Sequence, residues 1–383
     1  MISPITEEQL AGVVRDATGP LRIIGGATRP IGGPVVGEAL SVAGISGIEL
    51  HEPGALTLVA NAGTPVVQIE KALAKHNQRL AFEPMDHTRL LGTSGKPTIG
   101  GVVAGNVSGP RRVQVGACRD FLLGVRFVDG TGTIVKNGGR VMKNVTGYDL
   151  VKLMAGSFGT LGVLTEVAFK VLAKPETEAT LVAEGLNPKE AVAALSAALG
   201  SPFDVSGAAC LGAGATGERS RTQVRIEGMK ASVAYRSDQL RKGVLAGFDV
   251  VDAKASATLW QEVRDVTPFA GREGAVWRIS VKPTDGPVLT ERLALAGIGF
   301  AALYDWGGGL VWLLLPDEGD AGAGPIRAQV AALGGHATLV RASEATRAQV
   351  PVFHPEPAGL AAISAGLRKK FDPRGILNPG LMG

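Results

Sequence analysis

The sequence predicts an α+β fold in two parts: a glycine-rich first part over 1–175 and a second part built on an antiparallel sheet over 176–342. Two observations carry that expectation. Glycine-bearing turns crowd the first part, each following or preceding a strand-like run. After Pro175 the pattern changes, and short apolar runs alternate with helical ones twice in the same order. With 383 residues, 45% of them hydrophobic, the chain has material for more than one core.

In order, Thr6-Glu-Glu-Gln9 has the form of a capping box opening a helix that ends near Gly19. "PLRIIGG" is a short strand entering a glycine turn, and "ALTLVANAG" a second strand. Thr64-Pro65 reads as an N-cap with proline at the first helical position of "PVVQIEKALAKHNQRL". A long connection from Glu83 to Asp120 follows, and connections of such length are functional or disordered. Its interspersed Val, Ile and Leu argue for order. "FLLGVRFVDGTGTIV" predicts a hairpin turning at Asp129-Gly130-Thr131-Gly132, and Asn144 to Leu172 a helix, a glycine turn and a long strand. From "ATLVAEGL" to "FDVVDA" the order is β-α-β-β-α-β, and it recurs from "AVWRISV" to "HATLVRA". Two such ferredoxin-like units can share one antiparallel sheet with helices on one face. The segment 343–383 ends in "FDPRGILNPGLMG" and is expected to pack back on the first part.

The net charge of +4 is spread along the chain, which argues against a nucleic-acid surface. The two cysteines, Cys118 and Cys210, cannot ligate a four-thiolate iron–sulfur cluster or a zinc ribbon, and reduced thiols are the default. The five histidines show no ligand spacing, so no metal site is expected. Nothing at the start resembles a signal peptide and no apolar run reaches the roughly 18 residues of a membrane span, so the expectation is a cytoplasmic protein.

Four segments concentrate chemistry-bearing glycines: Gly25-Gly26-Ala27-Thr28, Thr98 to Gly101, Ser108-Gly109 with Arg111 and Arg112, and Gly156 to Gly162. Glycine lets main-chain N–H groups approach a diphosphate without an intervening Cβ, and such turns form anion nests. One segment alone is equally well a tight turn; four in one part favour an extended phosphate-bearing ligand. The spacing G-x-G-x-x-G is absent, which argues against an ordinary dinucleotide-binding βαβ unit.

In this order, "RIIGGAT", "PTIGGVVAGNVSGPRRVQVGACRDFLLGV", "VMKNVTGYDLVKLMAGSFGTLGVLTEV" and "KKFDPRGILNPG" resemble the FAD-binding domain of the vanillyl-alcohol oxidase / p-cresol methylhydroxylase (PCMH-type) flavoproteins. Within them the likeness is to the FAD-binding subunits of bacterial glycolate oxidases. It is close over the first part and the tail, and in the middle rests on layout. The resemblance implies that Ile24, Gly25, Gly26, Ala27 and Thr28 form one diphosphate loop and that Thr98, Gly100 and Gly101 line a second. Ala104, Ser108, Gly109 and Gly116 would continue around the flavin, with the Val163 backbone and Asn378 at its ring. Relatives with covalent flavin carry histidine where Ala27 or Thr28 stands, which implies non-covalent FAD. Lys143 and Tyr148 are possible flavin neighbours, although Asn144 and Thr146 capping a helix and Tyr148 packing between the parts explain that stretch better. His87, in the long connection, could face the cofactor, although a solvated loop histidine explains it better, and Arg29 to Gly33 read as the way out of the turn.

The resemblance also shows a gap. Hydroxy-acid dehydrogenases of this kind carry H-x-G-D-G-N-x-H on a hairpin, whereas the corresponding "ALYDWGGGLVWL" has no histidine. No catalytic residue is therefore assigned; Asp305 is a candidate base, and Arg264, Arg272 and Arg278 are candidate carboxylate clamps. The implied function is the FAD-binding subunit of a glycolate or other 2-hydroxy-acid oxidase, with a catalytic flavoprotein subunit and an iron–sulfur subunit as partners. Any inner-membrane association would come through those partners. The alternatives are an independent FAD-dependent 2-hydroxy-acid dehydrogenase and a non-catalytic scaffold. Trp306, Trp312 and "LVWLLLP" would suit an interface or, equally, a core strand.

Overall fold

The computed structural model describes residues 1–140 and 147–382, so Lys143, Asn144 and Thr146 lie outside the described residues. In the first part β1 (Leu21–Ile24) pairs in parallel with β2 (Glu38–Ser41). β3 (Ile48–Glu52) and β4 (Thr57–Asn61) form a hairpin, and β5 (Gln78–Arg79) follows. β6 (Leu122–Val128) and β7 (Ile134–Gly138) form the expected hairpin, whose turn is held by Asp129 Oδ1 accepting from the N–H groups of Thr131 and Thr133. β8 (Val163–Lys170) completes an antiparallel sheet of order β3-β4-β8-β6-β7, and β9 (Leu172–Ala173) pairs with β5.

The long connection is ordered, as its apolar residues suggest. It folds into four short helices, Thr88–Leu91, Ile99–Ala104, Arg112–Val115 and Cys118–Phe121. The preceding helix is shorter than its pattern, Val66–Ala74, and Pro65 rather than Thr64 is its N-cap. The Thr64 hydroxyl turns away to donate to the Asn61 carbonyl at 2.6 Å. Tyr148 is 87% exposed instead of packing between the parts, and Asp149 caps the helix Leu150–Met154.

The second part repeats one motif. β10 (Thr177–Glu184), β11 (Val205–Leu211), β12 (Arg221–Gly228) and β13 (Asp249–Val251) form the first unit. β14 (Ala275–Ser280), β15 (Ala301–Asp305), β16 (Leu310–Leu315) and β17 (His336–Arg341) form the second. All eight make one sheet of order β13-β10-β12-β11-β15-β16-β14-β17, so the two units meet edge to edge at β11 and β15, Cys210 opposite Tyr304. Side chains alternate across that sheet. Ala208 and Cys210 pack under helices such as Pro188–Leu199 and Lys230–Lys242, whereas Ala209 and Leu211 join the core that holds Phe82, Phe121 and Val125 of the first part. Burial on both faces explains the unbroken apolar run of β16. It also settles Trp312, which is 4% exposed and belongs to the core, not to an interface. After the helix Ala358–Phe371 the chain returns beside β1, where Leu21 N donates to Ile376 O at 2.7 Å and Asn378 N to Leu21 O at 3.0 Å.

Candidate functional site

The turn after β1 and the residues before the helix Ile99–Ala104 are wedged together. A Cβ on Gly26 would stand 1.7 Å from the Lys96 carbonyl oxygen, and one on Gly95 1.7 Å from that of Gly26. A Cβ on Gly25 would stand 2.6 Å from the Thr98 hydroxyl, which caps the helix by accepting from Gly101 N at 3.3 Å. Held this way, the N–H groups of Gly25, Gly26, Ala27, Thr28 and Arg29 donate to no acceptor among the described residues. Successive N–H groups left without a partner in such a turn form an anion-binding concavity.

These amides open onto a cavity of about 500 Å³. Ile24 through Thr28 line it on one side, and Thr98, Gly100, Gly101 and Ala104 on another. Val163 and Asn378 close it. The Asn378 side chain accepts from Ile23 N at 2.8 Å and donates to Phe158 O at 2.9 Å. Ser108, Gly109 and Gly116 are not among the lining residues. The Ser108 hydroxyl accepts from Cys118 N at 2.9 Å, Gly109 N donates to Phe82 O at 2.8 Å, and Gly116 lies against Asp120 with φ +96.

Sequence reasoning missed the electrostatics of this cavity. Arg22, Arg29, Arg347 and His87 line it, and among the described residues no aspartate or glutamate does. Arg29 donates to the Gly101 carbonyl, and burial lowers its pKa to about 10. Arg347 donates to Pro30 O at 2.7 Å while its Nε has no partner. His87 is only 8% exposed, so it is no solvated loop residue. Burial first, and Arg29 next, hold its imidazole well below the usual value, hence neutral near pH 7. An arginine directly after a glycine turn was the available signal for Arg29; for His87 it was a histidine in the long connection, the weaker of its two readings.

In the second part, Asp305 is 3% exposed and accepts from Trp306 N at 2.7 Å. Burial pushes its carboxyl up to about 7, against the opposing pull of the Trp306 amide and the charges of Arg225 and Arg278. Arg278 and Arg112 lie 5.3 Å and 4.6 Å from the Trp306 ring. Of the three candidate clamps only Arg278 bears on Asp305: Arg264 pairs with Asp265 at 2.7 Å, and Arg272 donates to Gly214 O at 2.8 Å. Both cysteines are free and buried, and among the described residues no cluster of His, Cys, Asp and Glu could hold a metal. No helix is long and apolar enough to cross a membrane, among the described residues.

Comparison with known proteins follows this geometry. Residues 1–138 match the family model described as an FAD binding domain. The chain is 35% identical over 377 residues to glycolate oxidase subunit GlcE of Escherichia coli (strain K12), covering 98% of this chain and 95% of that protein. It is 36% identical over 126 residues to glycolate oxidase subunit GlcD of Bacillus subtilis (strain 168), a match spanning 33% of this chain and 26% of that one. Among solved structures it resembles an alkyldihydroxyacetonephosphate synthase with a TM-score of 0.68 at 17% identity, over 98% of this chain and 76% of that one, a likeness of fold.

Proposed function

The chain belongs to the family of FAD-binding oxidoreductases that includes the Escherichia coli glycolate oxidase subunit, and on that premise we propose that it holds FAD within a 2-hydroxy-acid oxidase assembly and passes electrons to its partner chains. The observation that carries this reading is the row of unpaired N–H groups from Gly25 to Arg29, opening onto a cavity with three arginines and no carboxylate. Such a wall accepts a diphosphate and rejects a cation. Ile24 to Thr28 and Thr98 to Gly101 are the diphosphate loops of this proposal; Ala104, Val163 and Asn378 face the ring. FAD supplies two-electron chemistry, and the chain supplies the charge and the enclosure around it.

Ala27 and Thr28 offer no imidazole for a covalent link, so the flavin dissociates on denaturation. Iron–sulfur clusters belong to a partner, because Cys118 and Cys210 are buried and protonated. Burial raises the Cys118 thiol far above its usual value and takes Cys210 to about 11. One observation favours a second reading, substrate oxidation by this chain alone: the Asp305 carboxyl titrates near 7 beside Arg278, as a base and a carboxylate clamp would.

The test is the flavin spectrum of the purified chain. Bound flavin that passes into the supernatant on acid precipitation is the expected result, and protein that stays colourless after incubation with FAD overturns the proposal. Anaerobic glycolate or D-lactate should bleach the flavin only when the partner chains are present; bleaching of the chain alone establishes the second reading.

A further inference from the structure

The helix Ala358–Phe371 has 14 residues, and none of them is buried. Its C-terminal half leans on the first part: Leu367 and Phe371 pack against the core, and the Phe371 ring stands 6.1 Å from that of Phe127. Its N-terminal half overhangs. Ile363 lies one turn and Leu360 two turns before Leu367, yet they are 63% and 50% exposed. Spacings of three and four residues put Gly359, Leu360, Ile363 and Gly366 on one helix face. A Cβ on Gly359 or Gly366 would meet nothing within 4 Å, and neither glycine has a positive φ. Nothing within the chain requires glycine there, although each costs about 1 kcal/mol of helix relative to alanine. Bare backbone on an exposed apolar face lets a second helix come close.

Charge decides how that second helix runs. The helix contains no Asp or Glu, and Arg368, Lys369 and Lys370 crowd its last turn. Glu356 stands just before it, its carboxylate accepting from the Ser364 hydroxyl at 3.1 Å. Two such helices lying parallel would set their basic ends together. Lying antiparallel, they bring each basic end to the end of the other that carries Glu356.

We propose that this face joins two copies of the chain, antiparallel, about a two-fold axis at Ile363. Residues equidistant from 363 then face each other. Leu360 of one copy enters the open space over Gly366 of the other, and Lys370 stands level with Glu356. Ile363 meets its own counterpart, as an isologous contact requires. The face is about 21 Å long and one helix wide. That is smaller than the roughly 800 Å² per partner of a standard interface, so the association is reversible. It requires no flavin.

The experiment is analytical ultracentrifugation of the full chain across the micromolar range, beside Ile363→Glu, Gly366→Leu and Ile363→Cys, with circular dichroism to confirm that each variant folds. Wild type is expected to pass from monomer to dimer as concentration rises. Ile363→Glu sets two carboxylates against each other on the axis and should stay monomeric throughout. Gly366→Leu adds apolar surface but fills the space that Leu360 enters, so it should weaken the dimer at least tenfold. Stronger association of that variant would mean an unspecific apolar contact and overturn the proposal. Ile363→Cys should form a disulfide between copies under mild oxidation, because residue 363 faces itself only at the axis, and Cys118 and Cys210 are buried. A wild-type chain that is monomeric at every concentration overturns the proposal. So does a dimer that survives Ile363→Glu, or one whose Ile363→Cys variant stays reduced. A monomer that sediments with vesicles of anionic lipid would assign the face to a membrane surface and equally overturn it. A chain that takes up no FAD overturns the functional reading and leaves this one standing.

Discussion

Arg225, on β12 of the second sheet, closes a two-point ion pair on Glu83 of the first part, with Nη1 to Oε1 and Nη2 to Oε2 both 2.9 Å. The pair sits in a larger buried network. Arg111 reaches Glu83 at 2.8 Å and Glu227 at 2.7 Å, and Arg79 reaches Glu227 at 2.6 Å. Four of these five residues come from different strands or loops, so the network fixes how the second sheet seats on the first part.

Removing one partner strands a buried charge, which costs about 3–5 kcal/mol. Arg225→Met should therefore lower the unfolding free energy by that order in denaturant titrations. Burial alone would raise the Glu83 and Glu227 carboxyls, but Arg225 and Arg111 outweigh it and hold both below their usual 4.5. A depressed carboxylate contributes stability that is complete above pH 4.5 and lost as pH falls below it. The melting temperature of wild type should fall more steeply between pH 5 and 3 than that of Glu227→Gln, and parallel curves would count against the network.

His87 has the same balance of protons as those carboxylates, in a higher pH window. The unfolded imidazole takes a proton near 6.5, whereas the folded one resists it because it is buried beside Arg29. Stability should decline as pH drops below 6.5, by up to about 1.4 kcal/mol per unit. His87→Gln should flatten that slope, as unfolding followed at pH 8, 6 and 5 would reveal.

Gly26 and Gly101 should fail differently. Any Cβ at Gly26 collides with the Lys96 carbonyl, so Gly26→Ala is expected to melt earlier even before cofactor is added. At Gly101 the nearest atom is the Thr98 hydroxyl at 3.2 Å and the backbone is helical, where alanine gains about 1 kcal/mol over glycine. Gly101→Ala should leave the cofactor-free chain about as stable as wild type and lose flavin. Calorimetry of the stripped protein with flavin titration separates the two.

Asp305 is a raised carboxyl, about 7 folded against an ordinary 3.8. A raised acid withholds stability as pH climbs from its unfolded to its folded value, at about 1.4 kcal/mol per unit. Asparagine can still accept from Trp306 N, so Asp305→Asn should exceed wild type in stability above pH 7 and match it near pH 4. A variant less stable at both values would show that the carboxyl does more than cap the turn.

Legibility followed range along the chain. The hairpin at Asp129, the doubled β-α-β-β-α-β order and the glycine turn after β1 were readable because turn residues and apolar period act over a few residues. The cap at Thr64 was misread because its hydroxyl found Asn61 and Gly47 instead, partners set by the neighbouring strands. Tyr148 was misplaced for the same reason, since an aromatic side chain carries no mark of which surface will receive it.

The sequence by itself determined an α+β chain, through local turn chemistry and strand period, and its resemblance to the PCMH-type flavoproteins supplied the FAD-binding oxidoreductase reading. Only the tertiary structure decided that Arg29, His87 and Arg347 share one acid-free cavity, that Arg278 rather than Arg264 bears on Asp305, and that Glu83 and Arg225 lock the halves. Charge acts through space, and residues 29, 87 and 347 become neighbours only once the sheets have closed around them.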